Sequence, residues 1–225
     1  MGRPSIESMK KAGLSLALFA AIAVIFVVGT HFLVRNQVAK NDEMLLLKNI
    51  NQIIPSERYD NNLVESRYNL KAEDSGLEND AIVFVATKKG QAVATIFEMT
   101  TLRGYGVITL LVGVNTKDQT LAGVRVVRHT ETPGLGDKIE VKKSHWILKF
   151  KGKSLNNPAL SGWFVKKDGG EFDQFTGATI TPRAIVNTTK SILLYAKAHL
   201  NDLNQKIIAY NKNRSSNKLG IQTRH

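Results

Sequence analysis

The chain of 225 residues contains no cysteine. That excludes disulfides and any iron–sulfur cluster held by the chain's own thiolates. If such a chain carried electrons, an organic cofactor would be the natural vehicle. The five histidines stand at no spacing that suits a metal. No Gly-x-Gly-x-x-Gly follows the first strand-like stretch, so a Rossmann dinucleotide site is not indicated. Acidic residues are few as well: 19 against 31 lysines and arginines give a formal net charge of +12. Charge of that size suits nucleic acid or anionic lipid head groups. The basic residues are spread along the chain, with no block interleaved with aromatics, which argues against nucleic acid.

What is present begins with a long apolar run. Ala12–Val34 has no charged residue before Arg35. About twenty apolar residues suffice to span a bilayer as a helix. The run is longer than the apolar core of a secretory signal, and no clean small-x-small cleavage site follows, so an uncleaved anchor is expected. Arg3, Lys10 and Lys11 precede it and Arg35, Lys40 and Lys48 follow, so the charge asymmetry that sets orientation is weak.

Asn41-Asp42-Glu43 then precede an amphipathic pattern through Leu45, Ile50, Ile53 and Ile54, which predicts a second helix ending at Pro55. Residues 58–80 are polar and predict loops with one short strand. Ala81–Ala86 and Ala92–Met99 read as strands around Lys88-Lys89-Gly90, and Val107–Val114 and Leu121–Arg128 as a second pair. Four strands with no helix between them predict an α+β fold with an antiparallel sheet and packed helices, preceded by one N-terminal transmembrane helix. Asp137 is expected to open a further helix with Ile139, Trp146, Ile147 and Phe150 on its apolar face. Trp163 and Phe164 either fill the core or offer a ring to a ligand.

Three polar stretches stand out. Gly104-Tyr105-Gly106 allows a tight turn or a close ligand approach. His129-Thr130-Glu131-Thr132-Pro133-Gly134-Leu135-Gly136 leaves the last strand with a histidine, a carboxylate, hydroxyls and a Pro-Gly turn. Gly169-Gly170-Glu171-Phe172-Asp173-Gln174-Phe175-Thr176-Gly177-Ala178-Thr179 runs into a helix for which Thr181 is the expected N-cap and Pro182 the first residue. Apolar residues recur from Ile185 through Val186, Ile192, Leu193, Ala196, Leu200 and Leu203. A helix N-terminus favours an anion, and small residues beside Thr179 leave its hydroxyl approachable. The pattern suits a phosphate, and it equally describes a capped helix after a polar loop.

Asp173-x-x-Thr176-Gly177-Ala178-Thr179 resembles the flavinylation motif of the FMN-binding domain family, and His129–Gly136 is similar to a second stretch of that family. With the apolar run and Lys166-Lys167-Asp168-Gly169-Gly170, the chain resembles the G subunit of the Rnf (Rsx) electron-transport complex from about Ala12 to about Leu203. The resemblance implies that a flavin transferase joins FMN, through its phosphate, to the Thr179 hydroxyl. No histidine or lysine adjoins Thr179 to activate it, so the transferase must be a separate protein and no catalytic residue is expected here. Cofactor-binding roles are implied for Asp173, Thr176, Gly177, Ala178 and Thr181, for His129, Glu131, Thr132, Pro133, Gly134 and Leu135, and for Gly104, Tyr105 and Gly106. The implied partners are the other membrane and peripheral subunits of that complex and the lipid bilayer. The implied setting is a bacterial inner membrane, crossed once, with the main domain periplasmic. Residues 1–11 would then be cytoplasmic, 12–34 transmembrane, 35–211 the FMN-binding domain and 212–225 a flexible tail. Two alternatives stand beside this: the C subunit of a sodium-pumping NADH:quinone reductase, and a non-redox anchored module that holds a soluble phosphate ligand.

Overall fold

The computed structural model describes residues 6–222. Residues 1–5, which include Arg3, and residues 223–225 lie outside the described residues. By its contacts the chain divides into two units, Met1–Leu45 and Leu46–His225. Helix α1 (Ile6–Ile53) supplies nearly all that is described of the first. Within it the span Met9–Arg35 contains an 18-residue stretch with a mean hydropathy of 2.6, in which no described residue is buried. The span's 27 residues measure about 40 Å along a helix axis, against about 30 Å for the hydrocarbon core of a bilayer. It is long and apolar enough to cross a membrane.

The separate helix expected after Asn41 does not exist: α1 is continuous to Ile53. No glycine or proline falls between Gly29 and Pro55, so nothing interrupts the hydrogen-bond ladder. Of the apolar residues there Leu45 is exposed and Leu46 and Leu47 are half-buried, while Ile50, Ile53 and Ile54 are buried.

The second unit is built on an antiparallel sheet in sequence order: β1 (Tyr68–Leu70), β2 (Ala81–Lys88), β3 (Gln91–Thr101), β4 (Ile108–Asn115) and β5 (Leu121–His129). Its strands read as near-continuous apolar runs because both faces are covered. Val83, Val85, Phe97, Met99, Leu110, Val112 and Val124 point to one core; Phe84, Ala86, Ala94, Ile96, Leu111 and Ala122 point to the other. The end of α1 covers the second face. Gly113 and Gly123 pair across β4 and β5 beneath Ile53, and a Cβ on Gly113 would stand 2.5 Å from Ile53 Cγ2. Glycine there lets α1 approach the sheet. The β2–β3 hairpin turns at Lys89 and Gly90, both at positive φ (50° and 77°), the geometry of a two-residue type I′ turn.

A four-residue helix, α2 (Ala72–Ser75), completes the loop between β1 and β2. Helix α3 (Ile180–Gln222) lies on the first face, burying Ile185, Val186, Ile192, Leu193, Ala196, Leu200, Leu203 and Ile207. It continues to Gln222, through residues expected to form a tail. Between β5 and α3 the expected helix from Asp137 is replaced by two short 3-10 turns, Gly136–Ile139 and Trp146–Phe150. Ser144 interrupts it. Its hydroxyl donates to the Lys138 carbonyl and accepts from the Trp146 N–H, bonds that compete with a helical ladder. Ile139, Trp146, Ile147 and Phe150 are buried nonetheless.

Candidate cofactor site

The motif before α3 is anchored by its aromatics. Phe172 and Phe175 are buried, Phe172 stacked on Phe150 (4.8 Å between centroids) and Phe175 edge-on to Trp146 (5.1 Å). Trp163 is fully buried in the same cluster, so it is a core residue; Phe164 is exposed with Lys190 over its ring. Trp146 Nε1–H donates to the Asp173 carbonyl at 2.8 Å. The Asp173 carboxylate is occupied by Lys149 (2.6 Å) and Lys166 (2.5 Å), and their hydrogen bonds hold its pKa below the usual carboxylate range. Asp173 thus ties two lysines to the loop. Lys149 is 24 residues away, and no local sequence signal points to it.

From Phe175 the chain turns sharply. The Ala178 N–H donates to the Phe175 carbonyl, and Gly177 sits at φ 81°. A β-turn with positive φ at its third residue demands glycine or asparagine. Thr176 and Gly177 are exposed; Ala178 is buried and fixes the turn to the core.

Helix α3 begins at Ile180, and the first helical bond runs from the Arg183 N–H to the Thr179 carbonyl (3.3 Å). The N-cap is therefore Thr179, not Thr181 as the sequence pattern predicts. Thr181 lies in the first turn, fully buried, its hydroxyl donating to Glu131 Oε2. The pattern misleads because proline is tolerated anywhere in a helix's first turn, where no N–H is needed. Thr179 is half-buried, and its hydroxyl makes no hydrogen bond among the described residues. Neither the Ile180 nor the Thr181 N–H finds a backbone acceptor among them either. A free hydroxyl, two unpartnered amides and two small neighbours fit a phosphate ester at Thr179. Arg183, one turn along, is engaged with Asp168 (2.6 and 2.8 Å).

One of the other two stretches meets this turn through Leu135, and the Gly104–Gly106 stretch is joined to the start of α3 through Glu131. A Cβ on Gly177 would stand 3.5 Å from Leu135 Cδ2, in ordinary contact. Gly134, at φ 78°, makes the Pro133-Gly134 turn, and the Thr132 carbonyl accepts from Leu135 and Gly136. Leu135 and Tyr105 are exposed. Glu131, expected to face the ligand, points inward and is buried, because it accepts from the Gly106 N–H (2.9 Å) as well as from Thr181. His129 Nε2 meets Glu140 at 2.8 Å, and its Nδ1 accepts the Glu131 N–H at 3.1 Å. Thr130, next along, accepts the Val107 N–H on its hydroxyl at 2.9 Å. Among the described residues no group of three or more His, Asp or Glu is placed to hold a metal.

These features define a class: an α+β domain whose long helix presents an open hydroxyl at its N-cap, beside two glycine-bearing loops. Residues 104–194, which hold all three stretches, match the FMN-binding domain family, and residues 1–53 match the RnfG N-terminal region. The chain is 42% identical to the G subunit of the ion-translocating oxidoreductase complex of Vibrio atlanticus (strain LGP32) over 205 residues, 91% of this chain and 96% of that one. Identity to the same subunit from Escherichia coli (strain K12) is 42% over 193 residues, 85% and 93% of the two chains. The chain belongs to the family of G subunits of the ion-translocating oxidoreductase complex. A crystal structure of Shewanella oneidensis NqrC is 23% identical, with a TM-score of 0.42 over 64% of this chain and 69% of that one.

Proposed function

We propose that this chain carries FMN as a phosphoester on Thr179 and passes electrons within a membrane-bound, ion-translocating oxidoreductase complex. The observation that carries the reading is the Thr179 hydroxyl, on a half-buried residue and without a hydrogen bond among the described residues, at the N-cap of α3 and inside the stretch that matches the FMN-binding domain family. When bound, the flavin supplies two-electron uptake and one-electron release; the protein supplies position and electrostatics. The Ile180 and Thr181 amides would face the negative phosphodiester. A helix N-terminus stabilises an exposed charge by about 0.3–1 kcal/mol. That is far too little to retain FMN, so the ester does the holding. A tethered flavin stays at an effective concentration on the order of millimolar or above.

Making the ester requires an activated phosphate. Thr179 Oγ would be the acceptor: its bond to phosphorus would replace the P–O bond to the other half of a flavin dinucleotide, with a nucleoside monophosphate as leaving group and the hydroxyl proton going to a base on the transferase. Leu135, within contact range of Gly177, and the exposed Tyr105 and Pro133-Gly134 turn are the surfaces we assign to the isoalloxazine ring. Asp173, Gly104, Gly106, Glu131 and Thr181 shape the site from behind. Met9–Arg35 is the membrane anchor in this reading, with the FMN-binding domain on the periplasmic side and the other subunits of the complex around it.

The full-length chain, co-expressed with a flavin transferase, should fluoresce as a flavoprotein in a denaturing gel, and without the transferase it should be colourless there. Equal absence of fluorescence in both contradicts the covalent reading. An export-dependent reporter fused after Leu200 should be active; activity of a cytoplasm-only reporter at that position contradicts the orientation.

A further inference from the structure

We propose that Glu131 positions the acceptor hydroxyl of Thr179, by fastening the first turn of α3 to the two loops beside it; the proposal rests on Thr179 as the attachment site. Glu131 is 5% exposed, and each of its carboxylate oxygens has a different partner. Oε1 accepts the Gly106 N–H at 2.9 Å, 25 positions earlier in the chain; Oε2 accepts the Thr181 hydroxyl, 50 positions later. Space for it is made by two glycines. A Cβ on Gly104 would stand 2.5 Å from Oε1, and one on Gly136 2.5 Å from Oε2. The backbone of Glu131 is held as well, its N–H donating to His129 Nδ1 while His129 Nε2 faces Glu140.

Thr181 lies two residues beyond Thr179 in the same helical turn, so whatever fixes Thr181 fixes Thr179. The effect on chemistry follows from alignment. Attack on phosphorus needs the oxygen in line with the leaving group, and a misplacement of about 1 Å costs on the order of a hundredfold in rate. An unlatched first turn frays, since its amides have no internal partners. Glu131 is buried with both carboxylate oxygens already engaged, so it acts through Thr181 and Gly106. It is a positioning residue.

Two readouts on the full-length chain separate positioning from simple stability. Before flavinylation, amide hydrogen exchange in Glu131→Ala should rise by at least about tenfold at Gly106, whose N–H Glu131 accepts, and at Arg183, whose N–H closes the first turn on the Thr179 carbonyl, with β3 and β4 unchanged. With purified transferase and a flavin dinucleotide, at a temperature where the variant is folded, Glu131→Ala should lower kcat for flavin incorporation by about tenfold or more, with KM for the acceptor chain little changed. Glu131→Gln keeps an oxygen for Gly106 and an amide that can pair with the Thr181 oxygen, and should restore kcat to within about threefold. A folded Glu131→Ala chain that takes flavin at the parent's rate overturns the proposal. So does exchange that is unchanged at the latch or raised uniformly across the sheet. Should Glu131→Ala not fold, Thr181→Val, which removes one of the two bonds, is judged by the same readouts. A parent chain that accepts no flavin contradicts the attachment site instead, and hydrogen exchange then decides whether the carboxylate holds the turn.

Discussion

Thr179 and Thr181 stand two residues apart and meet opposite surroundings. Thr181 is fully buried with its hydroxyl on a buried carboxylate. Thr179 is half-buried with its hydroxyl bonded to nothing among the described residues. Burial explains the first: a hydroxyl removed from water costs free energy unless it finds a partner. The second shows what a modification site needs, an oxygen that is held in place by its backbone yet left open. The same division separates the loops. Around Glu131 two glycines are required because there is no room for a Cβ, whereas in the Thr176–Thr179 turn Gly177 is required by its backbone angle and has space. One region is closed and specified by packing; the other is open and specified by backbone geometry.

The largest expected effect breaks the comparison at the hydroxyls. Thr179→Val should abolish denaturation-resistant flavin while changing unfolding free energy by no more than about 0.5 kcal/mol, since no hydrogen bond is lost. Thr181→Val should do the reverse. It leaves Glu131 Oε2 without a donor, a loss of about 1–3 kcal/mol, and covalent flavin should still form, more slowly. Urea unfolding and in-gel fluorescence of the two variants check both halves.

The glycines sharpen it next. Gly104→Ala pushes a methyl against Glu131 Oε1 and Ile108 Cδ1 and should cost about 1–3 kcal/mol. Gly177→Ala meets only ordinary contact and should cost about 1–2 kcal/mol for its left-handed backbone. Asparagine tells the two apart, because it tolerates that backbone but is larger. Gly177→Asn should be milder than Gly177→Ala, and Gly104→Asn worse than Gly104→Ala, in the same unfolding series. If asparagine is worse at both positions, crowding governs both and the contrast fails.

The smallest effect concerns Asp173. Lys149 and Lys166 hold its carboxyl below the ordinary range, so it binds protons less readily folded than unfolded. Its contribution is therefore complete above the ordinary aspartate pKa of about 4 and is lost as pH falls through the lowered folded value. The carboxylate is partly exposed, and screening limits the pair to about 1 kcal/mol or less. Melting temperatures of the parent and Asp173→Asn should differ slightly at neutral pH, converge in acid, and converge also in high salt.

Much of this was legible in the chain. Ala81–Ala86 and Leu121–Arg128 read as strands because two covered faces leave no polar alternation, and the spacing from Ile185 to Leu203 placed the buried stripe of α3. The Asp173-to-Thr179 motif marked the open turn. Illegible was anything set by distant partners. Glu131 turns inward because Gly106 and Thr181 await it, 25 and 50 positions away. Asp173 meets a lysine 24 residues upstream. The helix predicted from Asp137 fails at Ser144, whose hydroxyl has two local backbone partners that a periodicity argument does not weigh. The second helix predicted after Asn41-Asp42-Glu43 is instead the end of α1, because no glycine or proline there breaks the ladder.

Peptide mass mapping of the full-length chain, purified after co-expression with a flavin transferase, tests the central claim most directly. One FMN adduct is expected, on the peptide containing Thr179, with fragment ions that place it on that threonine. An adduct on Thr176 or Thr181, or an unmodified Thr179 in a chain that retains flavin after denaturation, would contradict it.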